Sequence, residues 1–125
     1  MIAAKVIVLD FAKIEFFENY VIVRVHENIT IDQEHFSVFK ELFTAYFEDK
    51  PYAYISDRSQ GYNVNPMAYI HFEFSNILKG VAIVTTGKIA VLNAQFERKF
   101  MAKPFRVFQN MEDAINWANL ICNPS

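Results

Sequence analysis

The sequence predicts an α/β domain built on a largely parallel sheet, and three observations carry that expectation. After residue 30, short apolar extended runs alternate with amphipathic helical patterns, which forces crossover connections between strands. The run Val81-Ala82-Ile83-Val84-Thr85 is almost continuously apolar, as suits a central strand covered on both faces. Earlier, Lys13 to Phe17 and Tyr20 to His26 are β-rich runs split by Glu18-Asn19, a polar break that suits a hairpin. The expected architecture is one domain over residues 1–125, with a mixed sheet of about five strands and about four helices packed on it.

Each element has its own reason. In Tyr20 to His26, Val21, Val23 and Val25 share one face and Ile22 and Arg24 the other. Lys5 to Leu9, within residues 1–12, fits either an edge strand or a dangling arm. Phe36, Phe39, Phe43 and Tyr46 recur at helical steps, with Leu42 and Phe47 widening the stripe. Two starts compete for this helix: Thr30 with Gln33 as a capping box, or Asp32 with an Ile31–Phe36 staple. It should end near Asp49-Lys50, because Pro51 disfavours helical geometry before it.

Tyr52 to Ser56 reads as a short buried strand. Asn65-Pro66 then starts a helix whose buried stripe is Met67, Ile70, Phe74 and Ile77, broken by Gly80. Ile89, Leu92, Phe96 and Phe100 mark a third helix beginning near Thr86-Gly87. Phe105 to Phe108 is a brief strand after Pro104, and Asn110 caps a last helix with Ala114, Trp117, Ala118 and Ile121 on one face.

Composition narrows the function classes. The chain is 53% hydrophobic and 16% aromatic, with 13 Phe, which supports a Phe-rich core or a surplus of apolar surface for a dimer or an apolar ligand. A net charge of −2 without a basic stripe argues against nucleic acid. The lone Cys122 reads as a small filler in a reducing compartment. The apolar start is too short for a secretory signal, and no segment reaches the roughly 20 apolar residues of a membrane span. A cytoplasmic location is the expectation.

The closing segment from Pro104 to Trp117 is similar to the "short strand, polar cap, acidic pair, Ala, Trp" ending of sporulation anti-anti-sigma-like STAS domains. Gly80 to Val84 resembles that family's central strand. With the element order, the resemblance runs from about Lys13 to Trp117. It implies a STAS-like fold, related to CRAL–TRIO lipid-exchange domains, in a family without a catalytic consensus. Well-known members carry a phosphorylatable serine in an Asp-Ser-Ser-Gly turn. Asp57-Arg58-Ser59-Gln60-Gly61 resembles that turn, with longer spacing and no second serine, and Asn63 to Pro66 separate it from the helix.

The candidate site is therefore the loop 57–65, at the carboxyl edge of the sheet where α/β folds usually place binding groups. Ser59 is the candidate phosphorylation site, where a phosphate of nearly two charges can pair with Arg58 or disrupt a partner surface; otherwise it is an ordinary turn serine. Arg58, Asn63 and Asn65 offer donors for an anion, while Asn also serves turns and caps. Asp57 and the exposed-looking Tyr62 complete the binding set, and Tyr52, Tyr54 and Tyr69 suit a pocket mouth or a wet-edged core layer. His26, His35 and His71 lack ligand spacing, so no metal, no cofactor and no catalysis are expected. The leading reading is a non-catalytic regulatory module that contacts a protein partner or itself as a homodimer. The alternative is a carrier or sensor of an apolar small molecule or lipid in an aromatic-lined pocket.

Overall fold

A computed structural model describes residues 2–59, 61 and 63–123. Its main sheet has six strands rather than about five, in the order β1-β2-β3-β5-β7-β8. The extra member is β1 (Lys5–Val8), an edge strand antiparallel to β2 (Ala12–Phe16), which pairs antiparallel with β3 (Tyr20–Val25). From β3 onward the neighbours β5 (Tyr52–Asp57), β7 (Leu78–Val84) and β8 (Phe105–Phe108) are all parallel. A separate two-stranded parallel ladder joins β4 (Thr30–Ile31) to β6 (Asn63–Val64).

Strand alternation divides the core. Val21, Val23, Tyr52, Tyr54, Val81 and Ile83 face a layer made by α1 (Gln33–Phe47), α2 (Met67–His71) and α3 (Lys88–Glu97). Tyr20, Ile22, Ala53, Ile55, Ala82 and Val84 face α4 (Met111–Cys122), which lays Ala114, Ala118 and Cys122 on them. The aromatic surplus fills the first side: Phe39 and Phe43 stack at 5.6 Å, and Phe47 stacks on Tyr52 at 4.4 Å.

Asp32 wins the competition to start α1. Its carboxylate accepts from the Gln33 N–H at 2.8 Å, and His35 Nδ1 accepts from its own N–H at 2.9 Å. Thr30 is occupied in β4, so the Thr30–Gln33 box does not form. At the far end of the helix Glu48 adopts φ 58°, closing it just before the expected Asp49-Lys50.

Three expectations need correction. First, α2 is only five residues long, and its Met67 and Ile70 point outward. Phe74 and Ile77 lie beyond it, because Phe72 is extended and Phe74 turns back onto the Phe36 ring at 5.5 Å. The Ser75 hydroxyl and carbonyl then accept from Ile77 and Leu78, starting β7.

Second, Gly80 lies inside β7 rather than before it. A Cβ there would come within 2.6 Å of Ile121 and 2.8 Å of Trp117, so the missing side chain lets α4 rest on the strand.

Third, α3 ends at Glu97, before the expected Phe100. Ile89, Leu92 and Phe96 are exposed while Ala94 and Glu97 are buried, and Phe100 falls in a 3-10 turn (Arg98–Phe100).

Candidate functional site

Strands β5 and β7 end side by side, Asp57 opposite Val84, and the Arg58 N–H donates to the Val84 carbonyl at 2.9 Å. The chain therefore leaves the carboxyl edge of the sheet at Arg58, where parallel α/β folds open their binding crevice. The Arg58 side chain turns inward onto Glu97 of α3. Nη1 donates to Oε2 at 2.5 Å and Nη2 to Oε1 at 2.7 Å, a forked, charge-assisted pair. The two side chains are 9% and 7% exposed, so water screens this pair little.

Tyr69 completes the cluster. Its hydroxyl donates to Glu97 Oε1 at 2.9 Å and accepts a longer contact from Arg58 Nη2 at 3.4 Å. Burial first, and the Glu97 carboxylate next, hold that hydroxyl well above its ordinary pKa of 10.0. It stays a proton donor across the neutral range. Its ring stacks on Phe36 of α1 at 5.3 Å. One carboxylate thus ties together the end of β5, α2 and α3.

Asp57 points elsewhere. It accepts from Arg24 Nε at 3.0 Å, and Arg24 also pairs with Glu15, so a charge ladder crosses β2, β3 and β5. Its other oxygen accepts from the Ser59 N–H at 3.1 Å and closes the first turn of the loop. Ser59 is exposed. Asn63 is exposed in β6, with its N–H on the Ile29 carbonyl at 3.1 Å. The Asn65 amide oxygen accepts from the Met67 N–H at 3.1 Å, the cap expected at the start of α2. Tyr62 lies outside the described residues.

A cavity of about 280 Å³ opens against this cluster, lined by Arg58, Asn63, Thr85, Asn93, Phe96 and Glu97 among others. Loop 57–65 thus divides: Arg58 and Asn63 reach the cavity, whereas Asp57 and Asn65 serve the scaffold. The residues missed by sequence reasoning are Glu97, Thr85 and Asn93. The available signal for Glu97 was a carboxylate three residues after Ala94, on the face opposite the apolar stripe of α3.

The other candidates disperse. Tyr52 and Tyr54 are core residues. His35 is part of the α1 cap, and the His71 carbonyl accepts from Gln33 Nε2. The aromatic cluster of Phe36, Phe39, Phe43, Tyr52 and Tyr54 encloses about 10 Å³, no more than a single water needs, so an apolar-ligand reading draws no support there. Among the described residues no helix is long and apolar enough to cross a membrane.

A mixed sheet with an antiparallel start, a parallel body and a loop displayed at the carboxyl edge defines a STAS-like, SpoIIAA-like fold. The comparison that bears this out is the crystal structure of an uncharacterized protein of the DUF3478 family with a SpoIIAA-like fold, from Shewanella loihica PV-4. It superimposes with a TM-score of 0.56 at 14% identity, over 94% of this chain and 98% of that one. No family model matches the sequence, and neither does any curated protein.

Proposed function

We propose that this chain is a non-catalytic STAS-type regulatory module that recognises a protein partner, or a second copy of itself, at the rim formed by residues 57–65 and the start of α2. The observation that supports this most is the buried Arg58–Glu97–Tyr69 clasp. It fixes the base of the loop while leaving Ser59 and Asn63 exposed, Asn63 at the cavity. A loop whose base is already held loses less freedom on binding, which favours recognition. The three ionisable groups of the clasp engage one another, which fits contact better than proton transfer.

Ser59 is the regulatory handle in this reading. A phosphate there would meet the Asp57 carboxylate that now accepts the Ser59 N–H, and repulsion would loosen the turn.

The test is to crosslink the native protein in its own cells and rebuild the captured complex from purified components, with light scattering to detect self-association. Asn63→Arg and Asn93→Arg intrude on the cavity from two elements and should each weaken association at least about tenfold while leaving the fold intact. Association unaffected by both substitutions overturns the proposal. Ser59→Asp should weaken the same complex, and Ser59→Ala should not.

A further inference from the structure

The outward face of α3 carries a stripe of exposed apolar side chains. Ile89, Leu92 and Phe96 follow helical steps of three and four, and they are 75%, 55% and 51% exposed. Ile70, 54% exposed on neighbouring α2, flanks a trough of about 480 Å³ that also touches Phe100, Lys99 and Lys103. Exposed apolar side chains in such a group mark a contact surface rather than scattered surface residues.

Charge singles out the same segment. Residues 88–103 hold four of the chain's 12 Lys and Arg (Lys88, Arg98, Lys99, Lys103) but one of its 14 Asp and Glu. That acid is Glu97, buried and neutralised by Arg58. The segment's formal charge is +3 in a chain of −2, so the remainder carries −5. Lys88 brackets the apolar stripe at one end, and Arg98 and Lys99 bracket it at the other. The Lys99 ammonium lies 5.4 Å from the Phe96 ring centroid. Lys103 is partly held by the Ser75 carbonyl at 3.0 Å, so Lys88, Arg98 and Lys99 are the more exposed cations.

From this juxtaposition we infer that α3 and the 3-10 turn after it form a docking face for an anionic phospholipid surface. The apolar side chains enter at headgroup level while the bracketing cations stay among the phosphates. An interfacial helix combines these two attractions, each weak alone. A short helix projecting its apolar side chains outward between cations suits a soft, laterally extended anionic surface better than a shaped protein groove. Phe96 is shared with the cavity beside the proposed partner rim, but Ile89 and Leu92 do not line that cavity, so variants at those two positions separate the two surfaces.

Cosedimentation of the full chain with vesicles tests it, using phosphatidylcholine alone and equal parts phosphatidylcholine and phosphatidylglycerol. The wild type should partition at least about tenfold better onto the mixed vesicles and lose that preference in high salt. Ile89→Glu/Leu92→Glu should abolish binding, and Lys88→Glu/Lys99→Glu should reduce it at least about tenfold. All four positions are exposed, and circular dichroism verifies that each variant keeps its fold. Three results overturn the inference: equal or absent partition of the wild type on both vesicle types, variants that bind as well as wild type, or a concentration-dependent dimer that Ile89→Glu/Leu92→Glu dissolves without any vesicle binding.

Discussion

Replacing Glu97 with alanine removes the acceptor of three contacts in one step: two N–H groups of Arg58 and the Tyr69 hydroxyl. The Arg58 guanidinium, 9% exposed, is then left in a poorly hydrated place without its counter-charge. Breaking a buried pair from one side costs about 3–5 kcal/mol, because the surviving charge retains its desolvation penalty. A domain of this size has roughly 5–15 kcal/mol in total, so the loss should be unmistakable.

Urea unfolding followed by far-ultraviolet circular dichroism and by Trp117 fluorescence measures it, with the midpoint falling at unchanged slope. Glu97→Gln keeps an oxygen for Tyr69 and should lose less than Glu97→Ala. Arg58→Met/Tyr69→Phe/Glu97→Leu removes both charges and the hydroxyl that depends on Glu97, and should lie within about 1–2 kcal/mol of wild type, since apolar replacement of a whole buried polar set is often neutral. A Glu97→Ala loss below about 1 kcal/mol would show that water already screens the pair and that the clasp does not organise the loop.

Gly80→Ala should destabilise by about 1–3 kcal/mol, because its methyl group would press on Ile121 and Trp117, and thermal unfolding reads the change. Cys122 is buried, and burial pushes its thiol up to about 11. It should therefore react with an aromatic disulfide reagent at neutral pH only at the rate of global unfolding, whereas prompt labelling of the native protein would contradict this. The folded state keeps the Tyr69 proton above the ordinary 10.0, while the unfolded chain releases it there. The Tyr69 contribution to stability should thus be level below about pH 10 and fall as pH rises beyond it, so the alkaline fall in stability should be shallower in Tyr69→Phe, as denaturation midpoints at a series of pH values would show.

Much of this architecture could be read from residue order because each strand faces two layers. Val21, Val23 and Val25 alternate with Tyr20 and Ile22 since each set meets a different helix layer, so the period of two survives into the fold. The Phe36–Phe39–Phe43 stripe was equally legible, one helix having one buried face. Legibility fails where apolar residues are buried by something other than their own element. Phe74 and Ile77 continue a helical period in sequence, yet both lie beyond the helix and Phe74 packs from an irregular turn onto Phe36.

In α3 the period was legible but its direction was not, because an apolar stripe does not declare whether it meets the core or the outside. The site divides in the same manner. Strand end, turn and Asn65-Pro66 cap placed the loop correctly, whereas the group that holds Arg58 lies 39 residues away and local patterning could not supply it.

The small β4–β6 ladder links the loop mechanically to the first helix. Thr30 and Ile31 pair with Asn63 and Val64, and two residues later Asp32 caps α1 while its Oδ1 receives a long contact from Asn65 at 3.5 Å. A tug on residues 63–65 would therefore arrive at the first turn of α1, where an undone cap releases about 1 kcal/mol of helix stability. The longest helix of the described chain becomes a gauge of what happens at the loop, wired to it by two backbone rungs and one amide.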